Sequence, residues 1–474
     1  MKIAFLNPQG NFDRDNSYLT EHPDFGGQLV YVRELALALA EQGVDVDVVT
    51  RRIEDPEWPG FEAELDDFGE HADRVRILRL PCGPRQFLPK ESLWPHLQQM
   101  VDRLVAFYGD DRPDAVTTHY ADGGLMGVML QRATGLPFTF TGHSLGAQKL
   151  ERLADGADNW PALDERYHFA RRIAAERLAM QHAGRIIVST RAERLEQYAH
   201  PLYADAVDPG DDSRFDVIPP GINERIFNDD RSGDDAEFAA RLGHRLGADD
   251  RPVALASSRL EVKKNVAGFV EAWLGHPALR QRARLALFVR GVDDPYARIE
   301  RLREAERAVL EPILERIDAA GARDEVIFVN AGSQRQLATA YRFFAARGSV
   351  FVLPSLYEPF GLAPIEAAAC GLAVVATRHG GPSEVFDEGT GVLVDPDRPE
   401  SLAAGMLDAL DRQASLAAAA GRMVRERYTW ASTATGYRRV AEALAAGTAP
   451  RPRAIDTLDA GDRIRAWLGT RQAH

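Results

Sequence analysis

The chain has 474 residues, 45% of them hydrophobic, and only two cysteines, which lie far apart at Cys82 and Cys370. This composition indicates a globular protein of two or three domains and excludes a disulfide-stapled or cysteine-ligated metal fold. The net charge of −14 disfavours nucleic acid and acidic membranes as partners. Since no apolar run reaches the length of a membrane span and the N-terminal run is too short for a signal peptide, the predicted location is a reducing cytoplasm.

Strand and helix patterns alternate along the first half of the chain. Residues 2–7 predict a strand, and a long polar segment then leads to a helix from about Leu29 to Gln42. Further strands are predicted at Val44–Val49, Val75–Leu80, Ala115–Thr118, Phe138–Thr141 and Ile186–Ser189. This alternation favours a parallel sheet with helices on both faces, and ligands of such sheets bind beyond the carboxyl ends of the strands.

A second alternating set of elements starts after the Pro-Pro-Gly string at 219–221. Its strands are predicted at Pro252–Ser257, Leu285–Val289, Val326–Val329, Ser349–Leu353, Ala373–Ala376 and Gly391–Val394. A helix from Trp430 to about Ala446, a linker at 447–454 and a small terminal helix follow. The sequence therefore predicts two doubly wound α/β domains, residues 1–219 and 220–429.

The stretch Val350–Glu384 carries the most specific functional pattern. An apolar strand is followed by the loop PSLYEPFG and by an apolar helix with Pro364 in its first turn, where a missing N–H group costs nothing. The free amides of Phe360, Gly361 and Leu362 would point outward at the start of this helix, which makes an anion site.

Two carboxylates accompany this turn. Glu358 lies on the loop and Glu366 lies inside the helix. Because carboxylates only accept hydrogen bonds, such a pair beside a phosphate-binding turn suits a ligand with phosphate and several hydroxyls. The pattern indicates a sugar nucleotide, and an ordinary strand–loop–helix unit with two solvated glutamates is the alternative.

A basic loop, SRLEVKKN, follows the first strand of the second half. From this loop Arg259 and Lys264 can reach a diphosphate, with charge-assisted bonds that contribute on the order of 1.5–3 kcal/mol each. Breaking a bond to an anomeric carbon puts negative charge on the departing diphosphate, which fixed cations would stabilise without reorganisation. We therefore expect no essential metal and no other cofactor.

Two other patterns point to different chemistry. The Asp-Val-Asp string at 45–47 matches the Asp-x-Asp pair of metal-dependent enzymes, but its alternation within GVDVDVVT predicts the polar face of a strand. The string GHSLG at 142–146 matches a nucleophile elbow, which would make Ser144 the nucleophile of a serine esterase. The His-Gly-Gly string that would complete an oxyanion hole comes after this serine, at 379–381, instead of before it.

Several of these strings together resemble one family. EPFGLAPIE followed by GGPSE, SRLEVKKN and DFGGQLVYV resemble the binding signatures of retaining GT-B glycosyltransferases of the sucrose synthase and sucrose-phosphate synthase type. The resemblance runs from KIAFLNPQGNF to the ERYTW stretch near Trp430. It implies two Rossmann-like domains that face each other across a cleft, with C-terminal helices, about 430–474, crossing back to the first domain.

The resemblance also implies a reaction. Glucose would pass from UDP-glucose to fructose 6-phosphate with retention at the anomeric carbon, giving sucrose 6-phosphate and UDP. The nucleotide sugar would be a co-substrate, and the departing phosphate would be the base on a front-face path. No phosphatase module follows the transferase pattern, so a separate sucrose-phosphate phosphatase is the expected partner.

In this family pattern the second domain binds the donor. The implied donor-binding residues are Gly27, Arg259, Lys264, Asn330, Glu358, Phe360, Gly361, Leu362 and Glu366. The implied catalytic residues are His143, Arg259, Lys264 and Glu358. Glu366 would hold the ribose hydroxyls. Glu358, with Gly381 or its neighbours, would contact the sugar, whose anomeric carbon would lie near His143. An Ala-Gly pair before Ser333 departs from the pattern and leaves the choice among UDP, ADP and GDP open.

The first domain would bind the acceptor. The implied acceptor-binding residues are Gly26, Gln28, Lys90, Tyr120, Asp122, Lys149, Arg171 and Arg172. The cations among them match the fructose 6-phosphate site of sucrose-phosphate synthases, whereas sucrose synthase, which uses unphosphorylated fructose, would not need them. Losing one such phosphate contact, worth ~2–3 kcal/mol, would cost roughly 50-fold in affinity.

Three alternatives stay open. A GDP-mannose-dependent mannosylfructose-phosphate synthase would share nearly every motif, because subtle contacts set the stereochemistry at C2. A catalytically silent nucleotide-sugar-binding module would bind without turnover. The serine esterase would leave the basic loop and the two glutamates without a role.

Overall fold

The computed structural model describes residues 1–14, 17–18, 24–154, 159–447 and 458–471. The chain divides into two compact units, which are residues 1–219 with 430–474 and residues 220–429. Each unit is an α/β domain with its own sheet and its own hydrophobic core. Which substrate each unit binds stays a prediction.

The first unit contains an eight-stranded sheet. Its strands are β1 (Lys2–Leu6), β2 (Asp45–Arg51), β3 (Leu65–Asp66), β4 (Val75–Leu80), β5 (Ala115–His119), β6 (Phe138–Thr141), β7 (Arg185–Val188) and β8 (Phe215–Val217). Their order in the sheet is β3-β4-β2-β1-β5-β6-β7-β8, and β3 pairs antiparallel with β4. The other neighbouring strands pair parallel. Most of these strands are buried along their length because helices cover both faces of the sheet.

Helices connect these strands. Those before residue 219 are α1 (Gly27–Glu41), α2 (Leu97–Tyr108), α3 (Tyr120–Thr134), α4 (Gly146–Leu153), α5 (Trp160–Tyr167) and α6 (Phe169–His182). Helix α3 begins directly after β5 and packs closely on both the sheet and α6. A Cβ atom added at Gly123 would lie 2.4 Å from the carbonyl oxygen of Leu6, and one at Gly124 would lie 2.8 Å from Ala179. The two glycines therefore set the position of the first turn of α3.

The second unit contains a six-stranded parallel sheet. Its strands are β9 (Val253–Ala256), β10 (Arg284–Phe288), β11 (Val326–Val329), β12 (Val350–Leu353), β13 (Ala373–Thr377) and β14 (Val392–Val394), in the order β11-β10-β9-β12-β13-β14. Its helices are α7 (Ala236–Leu246), α8 (Val266–Leu274), α9 (Pro277–Arg282), α10 (Pro295–Arg298), α11 (Glu304–Ala319), α12 (Gln334–Ala345), α13 (Leu362–Ala369), α14 (Pro382–Val385), α15 (Pro399–Asp411) and α16 (Gln413–Arg427). This arrangement is again doubly wound.

The last two helices, α17 (Trp430–Ala445) and α18 (Gly461–Arg471), belong to the first unit. Helix α17 packs on α1, where the hydroxyls of Tyr437 and Tyr31 lie 3.0 Å apart. Helix α18 packs on α6 and buries Ile464 and Leu468 completely. The predicted return of the C-terminal helices to the first domain is confirmed.

The predicted strands are confirmed, and their ends agree within two residues. Strands β3 and β8 were not predicted, because the first has two residues and the second is a short, partly exposed FDV string. The predicted linker at 447–454 lies, apart from Gly447, outside the described residues. Among the described helices, none has the length and apolar character needed to cross a membrane.

Candidate active site

Two histidines meet where β5 and β6 end. His119 is the last residue of β5, and His143 follows β6 by two positions. Their rings stack with centroids 5.1 Å apart, and His119 Nδ1 lies 2.9 Å from His143 Nε2. Burial lowers the pKa of His143 to about 3, so the predicted catalytic imidazole is neutral at physiological pH. Its backbone is left-handed, with φ of 54°, a conformation that non-glycine residues adopt rarely and often at functional sites.

Three of the predicted acceptor-binding cations, Lys90, Lys149 and Arg172, interact electrostatically, and we call them the basic cluster. Burial lowers the pKa of Lys149 to about 8, and the positive charges of Arg172 and Lys90 lower it further. The Lys149 ammonium lies 4.0 Å from the ring centroid of Tyr167. Among the residues that the structure describes, no carboxylate forms a salt bridge with Lys149, and only the more distant charge of Glu91 favours its cation.

Lys90 differs from Lys149 because it is paired. Its ammonium lies 2.6 Å from a carboxylate oxygen of the buried Asp24 and 3.2 Å from Glu91. The backbone N–H of Lys90 donates to the other oxygen of Asp24. Burial alone would lower the pKa of Lys90, but the charge and hydrogen bond of Asp24 outweigh burial and raise it. A phosphate contact of Lys90 stays a prediction, and Asp24 would compete for the same ammonium.

Arg172 is held by several groups of the first unit. Its Nε lies 2.9 Å from Glu176, its Nη2 donates to the carbonyl of Ser144 at 2.5 Å, and its guanidinium lies 4.6 Å from the ring centroid of Tyr120. Glu176 is fully buried and also accepts hydrogen bonds from the backbone of Gly146 and the Tyr203 hydroxyl. These contacts fix the guanidinium next to the N-terminus of α4.

Asp122 is a buried carboxylate in the first turn of α3. It is 1% exposed, and no other described residue donates a hydrogen bond to either of its oxygens. Burial raises its pKa to about 7, although the nearby charges of Lys90 and Arg172 oppose this shift. An unsatisfied buried carboxyl group is costly, and a ligand hydroxyl would satisfy it. Its neighbour Tyr120 takes a left-handed backbone, with φ of 68°.

The start of α1 carries three more predicted ligand-binding residues. Gly26 is the N-cap, and a Cβ atom added at Gly27 would meet nothing within 4 Å. Neither packing nor a left-handed backbone therefore explains the glycine at 27, whereas close approach of a ligand would. Gln28 donates from its side-chain nitrogen to the side-chain oxygen of the buried Asn7.

Arg171 does not belong to the basic cluster. It precedes Arg172 on α6, and consecutive helical side chains point about 100° apart. In the described part of the chain, Arg171 has neither an ion pair nor a side-chain hydrogen bond. Its predicted contact with the acceptor stays a prediction.

The basic loop and the Glu358 loop lie side by side in the second unit. The Lys264 ammonium lies 2.5 Å from a carboxylate oxygen of Glu358, and the backbone N–H of Leu356 donates to the carbonyl of Lys263. Arg259 lies farther out, with a side chain that is 71% exposed and 2.7 Å from Glu261. The structure thus brings together Lys264 and Glu358, two of the predicted donor-binding residues.

The glycines of the GGPSE string pack against the Glu358 loop. A Cβ atom added at Gly380 would lie 2.3 Å from the carbonyl oxygen of Glu358, and one at Gly381 would lie 2.4 Å from that of Pro359. The N–H of Gly381 donates to the Glu358 carbonyl at 2.9 Å. The His-Gly-Gly string therefore serves loop packing, and the predicted sugar contact of Gly381 stays a prediction.

The turn that starts α13 has the predicted geometry. Gly361 is its N-cap, with a left-handed φ of 96°, and Pro364 lies in the first turn. The backbone N–H groups of Phe360, Gly361 and Leu362 donate to no protein acceptor within the described residues. These amides are therefore available to an anion.

Glu366 lies farther along α13. No hydrogen bond or ion pair to its carboxylate exists among the described residues, and burial raises its pKa to about 7. Asn330 differs, because its side-chain oxygen accepts the backbone N–H of Gly291 at 2.8 Å and links the ends of β10 and β11. The contact of the base with Asn330 stays a prediction.

The Asp-Val-Asp string at 45–47 and the GHSLG string at 142–146 both have structural explanations. Asp47 is buried on β2, where Arg76 and the Tyr108 hydroxyl bind its carboxylate, so the strand-face interpretation is confirmed. Ser144 is exposed, and no histidine contacts its hydroxyl among the described residues. The left-handed residue of this turn is His143, and its ring is bound to His119 instead. The geometry of an esterase is therefore not present in this turn.

Three residues that support the predicted site, namely His119, Asp24 and Glu176, were given no role from the sequence. The only available signal concerned His119, because it and His143 directly follow strands that were both predicted. Asp24 and Glu176 gave no signal, because a single sequence does not show that they contact Lys90 and Arg172.

Two protein-family models match the chain. The glycosyl transferase 4-like domain matches residues 26–221, and glycosyl transferases group 1 matches residues 244–427. A probable sucrose-phosphate synthase of Thermosipho melanesiensis is 40% identical over 439 residues, covering 92% of this chain and 95% of that protein. The sucrose-phosphate synthase of Zea mays is 33% identical, but the match covers 85% of this chain and 43% of the longer plant protein.

Solved structures share the two-unit fold. The sucrose-phosphate synthase of Thermosynechococcus elongatus aligns with a TM-score of 0.68 at 28% identity, covering 94% of this chain and 98% of that one. Anabaena HepE in complex with UDP aligns with a TM-score of 0.62 at 19% identity, over 94% of this chain and all of that one, and shows the fold alone. The fold is GT-B. The matches favour neither a mannosylfructose-phosphate synthase, nor a silent nucleotide-sugar-binding module, nor a serine esterase. The chain is a glycosyltransferase and belongs to the sucrose-phosphate synthase family.

Proposed function

We propose that this enzyme transfers glucose from UDP-glucose to fructose 6-phosphate with retention, giving sucrose 6-phosphate and UDP. The observation that carries the choice of a phosphorylated acceptor is the basic cluster. Of its three cations, Lys90 is paired with Asp24 and Arg172 with Glu176, whereas Lys149 forms no salt bridge among the described residues. Burial and two neighbouring charges disfavour the Lys149 cation, and a bound phosphate would reverse that cost.

The second unit supplies groups that suit a nucleoside diphosphate sugar. Lys264 and the free amides at Gly361 and Leu362 would bind the diphosphate, and Glu366 would accept the ribose hydroxyls. Arg259, which is exposed, would add a second cation. Glu358 would contact the sugar, and its ion pair with Lys264 would link sugar binding to diphosphate binding.

The bond that breaks joins the anomeric carbon to the donor's phosphate oxygen. The bond that forms joins this carbon to an acceptor hydroxyl oxygen, whose proton passes to the departing diphosphate. Positive charge develops on the sugar, and negative charge develops on the phosphate. A neutral His143 near the anomeric carbon would add no repulsion to the developing positive charge.

Cations of the protein supply the charge stabilisation in this proposal, so we propose that no metal is essential. The cytoplasmic location and the separate sucrose-phosphate phosphatase stay predictions. The product, as a phosphate monoester, would be a substrate for an enzyme of that class.

A donor and acceptor panel tests the proposal. UDP-, ADP- and GDP-glucose and GDP-mannose are each offered with fructose and with fructose 6-phosphate, and products are identified by mass and NMR. We expect a phosphorylated α-linked glucosyl-fructose from UDP-glucose and fructose 6-phosphate. A mannosyl product would contradict UDP-glucose as the donor. Equal use of free fructose would contradict the role given to the basic cluster.

A further inference from the structure

His143 is enclosed by two aromatic rings of its own unit. His119 stacks on one side at an interplanar angle of 25°, and Tyr31 lies edge-on with its centroid 4.9 Å away. His119 is fully buried and packs on Phe5 of β1, with ring centroids 5.5 Å apart. The orientation of the His143 ring is therefore set by its neighbours before any ligand binds.

Residues of α17 contact Tyr31 and fix its side chain. Its hydroxyl lies 3.0 Å from that of Tyr437, which also lies 2.9 Å from the hydroxyl of Thr141 at the end of β6. The ring of Trp430 packs edge-on against Tyr31, with centroids 5.1 Å apart. Helix α17 thus contributes to the environment of His143 through Tyr31.

Both imidazoles are neutral. Burial lowers the pKa of His119 well below its ordinary value, and the proximity of His143 also disfavours a charged His119 ring. A neutral imidazole has one N–H donor and one acceptor nitrogen. The bond between His119 Nδ1 and His143 Nε2 therefore contains a single hydrogen, which belongs to one ring or the other.

The surroundings of His119 Nε2 determine which of the two rings carries the shared hydrogen. His119 Nε2 is buried and has no hydrogen-bond partner among the described residues. If Nε2 carried the hydrogen, a buried N–H donor would be left without an acceptor, and orphaned donors are rarer in proteins than under-satisfied acceptors. The hydrogen of His119 is therefore on Nδ1, and it is donated to Nε2 of His143.

We infer that His119 is a positioning residue that holds His143 in the Nδ1–H tautomer. This inference rests on the proposed role of His143 and goes beyond it, because it names the group that the ring presents to the ligand. With Nε2 occupied as an acceptor, the hydrogen of His143 must lie on Nδ1. No protein group bonds to this nitrogen among the described residues, and unlike His119 Nε2 it is not fully buried, so water can accept its hydrogen until a sugar hydroxyl does.

The tautomer has a chemical consequence. An Nε2–H tautomer would present a lone pair at Nδ1, which can only accept a hydrogen from a sugar hydroxyl. The Nδ1–H tautomer instead donates to the hydroxyl oxygen and leaves the ring neutral. The enzyme thereby orients the sugar with a donor that carries no charge beside a carbon that becomes positive.

NMR on the unaltered protein tests the inference directly. The full chain is labelled with ring-¹⁵N histidine, and His143 is assigned by the signal missing from His143→Gln. We expect a protonated, pyrrole-type Nδ1 and an unprotonated, pyridine-type Nε2 for His143 in the ligand-free enzyme. A protonated Nε2 on His143 would overturn the inference whatever the activity of the enzyme.

Kinetics supply the second readout. His119→Leu removes the donor, so we expect kcat to fall about tenfold, which is ~1.4 kcal/mol of activation free energy, with less than about a twofold change in the acceptor KM. His119→Asn places an amide N–H near the position of Nδ1 and should restore kcat to within about threefold. Phe138→Leu, a matched loss of a buried ring on β6, controls for general destabilisation.

The outcomes separate two failures. If His143→Gln keeps full transferase activity, the proposed role of His143 is wrong, although the NMR result stands. If His143→Gln loses activity while His119→Leu and His119→Asn behave alike, His119 has only a structural role.

Discussion

The ammonium of Lys264 and the carboxylate of Glu358 form an ion pair of 2.5 Å in the second unit, and their side chains are 16% and 15% exposed. A second hydrogen bond reaches the same carboxylate oxygen from the hydroxyl of Ser355 at 3.3 Å. The cation proposed to bind the diphosphate is therefore held by the residue proposed to contact the sugar. Their effects on catalysis should not be independent.

Double-mutant kinetics test this coupling. Lys264→Ala removes a phosphate contact and leaves Glu358 unpaired beside the incoming diphosphate, so kcat/KM for the donor should fall about 100-fold. The double variant Lys264→Ala/Glu358→Gln should lose less than the two single changes combined, with a coupling of about 1–3 kcal/mol. Lys263→Ala is the control, because this neighbouring lysine is 48% exposed and pairs with Glu261. Strict additivity would contradict the coupling.

Donor binding should release a proton from Glu366. Its raised pKa of about 7 leaves most of the group protonated at pH 6.5, whereas accepting two ribose hydroxyls requires the carboxylate. Affinity for UDP-glucose should therefore rise with pH from 6 to 8. Calorimetry at pH 6.5 in buffers of different ionisation enthalpy measures the released proton. The buffer dependence should disappear in Glu366→Gln and persist in the control Glu388→Gln. Its persistence in Glu366→Gln would assign the proton to another group.

Acceptor recognition should depend on the charge of Lys149. Lys149→Ala should raise the KM for fructose 6-phosphate roughly 50-fold, because it removes a phosphate contact of ~2–3 kcal/mol, and should change the donor KM little. Arg152→Ala, an exposed cation on the same helix, is the control. Equal effects on both substrates would count against the assignment.

The same lysine predicts a pH dependence. Its lowered pKa of about 8 means that the free enzyme loses this cation as the pH rises through 8. Affinity for fructose 6-phosphate should therefore decrease from pH 7 to pH 9, with uptake of a proton on binding. Lys149→Arg should flatten this profile, since arginine stays charged throughout the range. An unchanged profile in that variant would exclude Lys149 as the titrating group.

Asp47 should matter for stability and not for metal binding. Asp47→Ala breaks a pair whose carboxylate is buried but whose Arg76 side chain is 40% exposed, so we expect a loss of about 2 kcal/mol in denaturant unfolding. Asp45→Ala, on the same strand but 51% exposed, should change stability by less than about 0.5 kcal/mol. Donor affinity should not change in either variant.

Treatment with EDTA should leave the transferase activity intact. Loss of activity on this treatment would refute the proposal that no metal is essential.

Much of the fold could be predicted because parallel strands buried on both faces are short apolar runs, as in the VFVL string of β12. The donor turn could be predicted because its groups are local in sequence, from Glu358 to Glu366. Contacts between segments that are distant in the sequence could not be predicted. Asp24 neutralises Lys90 across 66 positions, and Glu358 meets Lys264 across 94. Nothing in a single sequence indicates such partners, and for this reason the pairing of Lys90 with Asp24 was not predicted.

The return of α17 to the first unit has a consequence for how the protein is made. The chain leaves the ribosome in order, so α17 emerges only after all of residues 220–429 have been synthesised. At ~5–20 residues per second, this delay is about 10–40 s, during which α1 and Tyr31 lack the helix that covers them. The second unit is contiguous and can mature during that interval. We therefore expect the first half of the nascent chain to be the last to finish folding and the preferred client of chaperones.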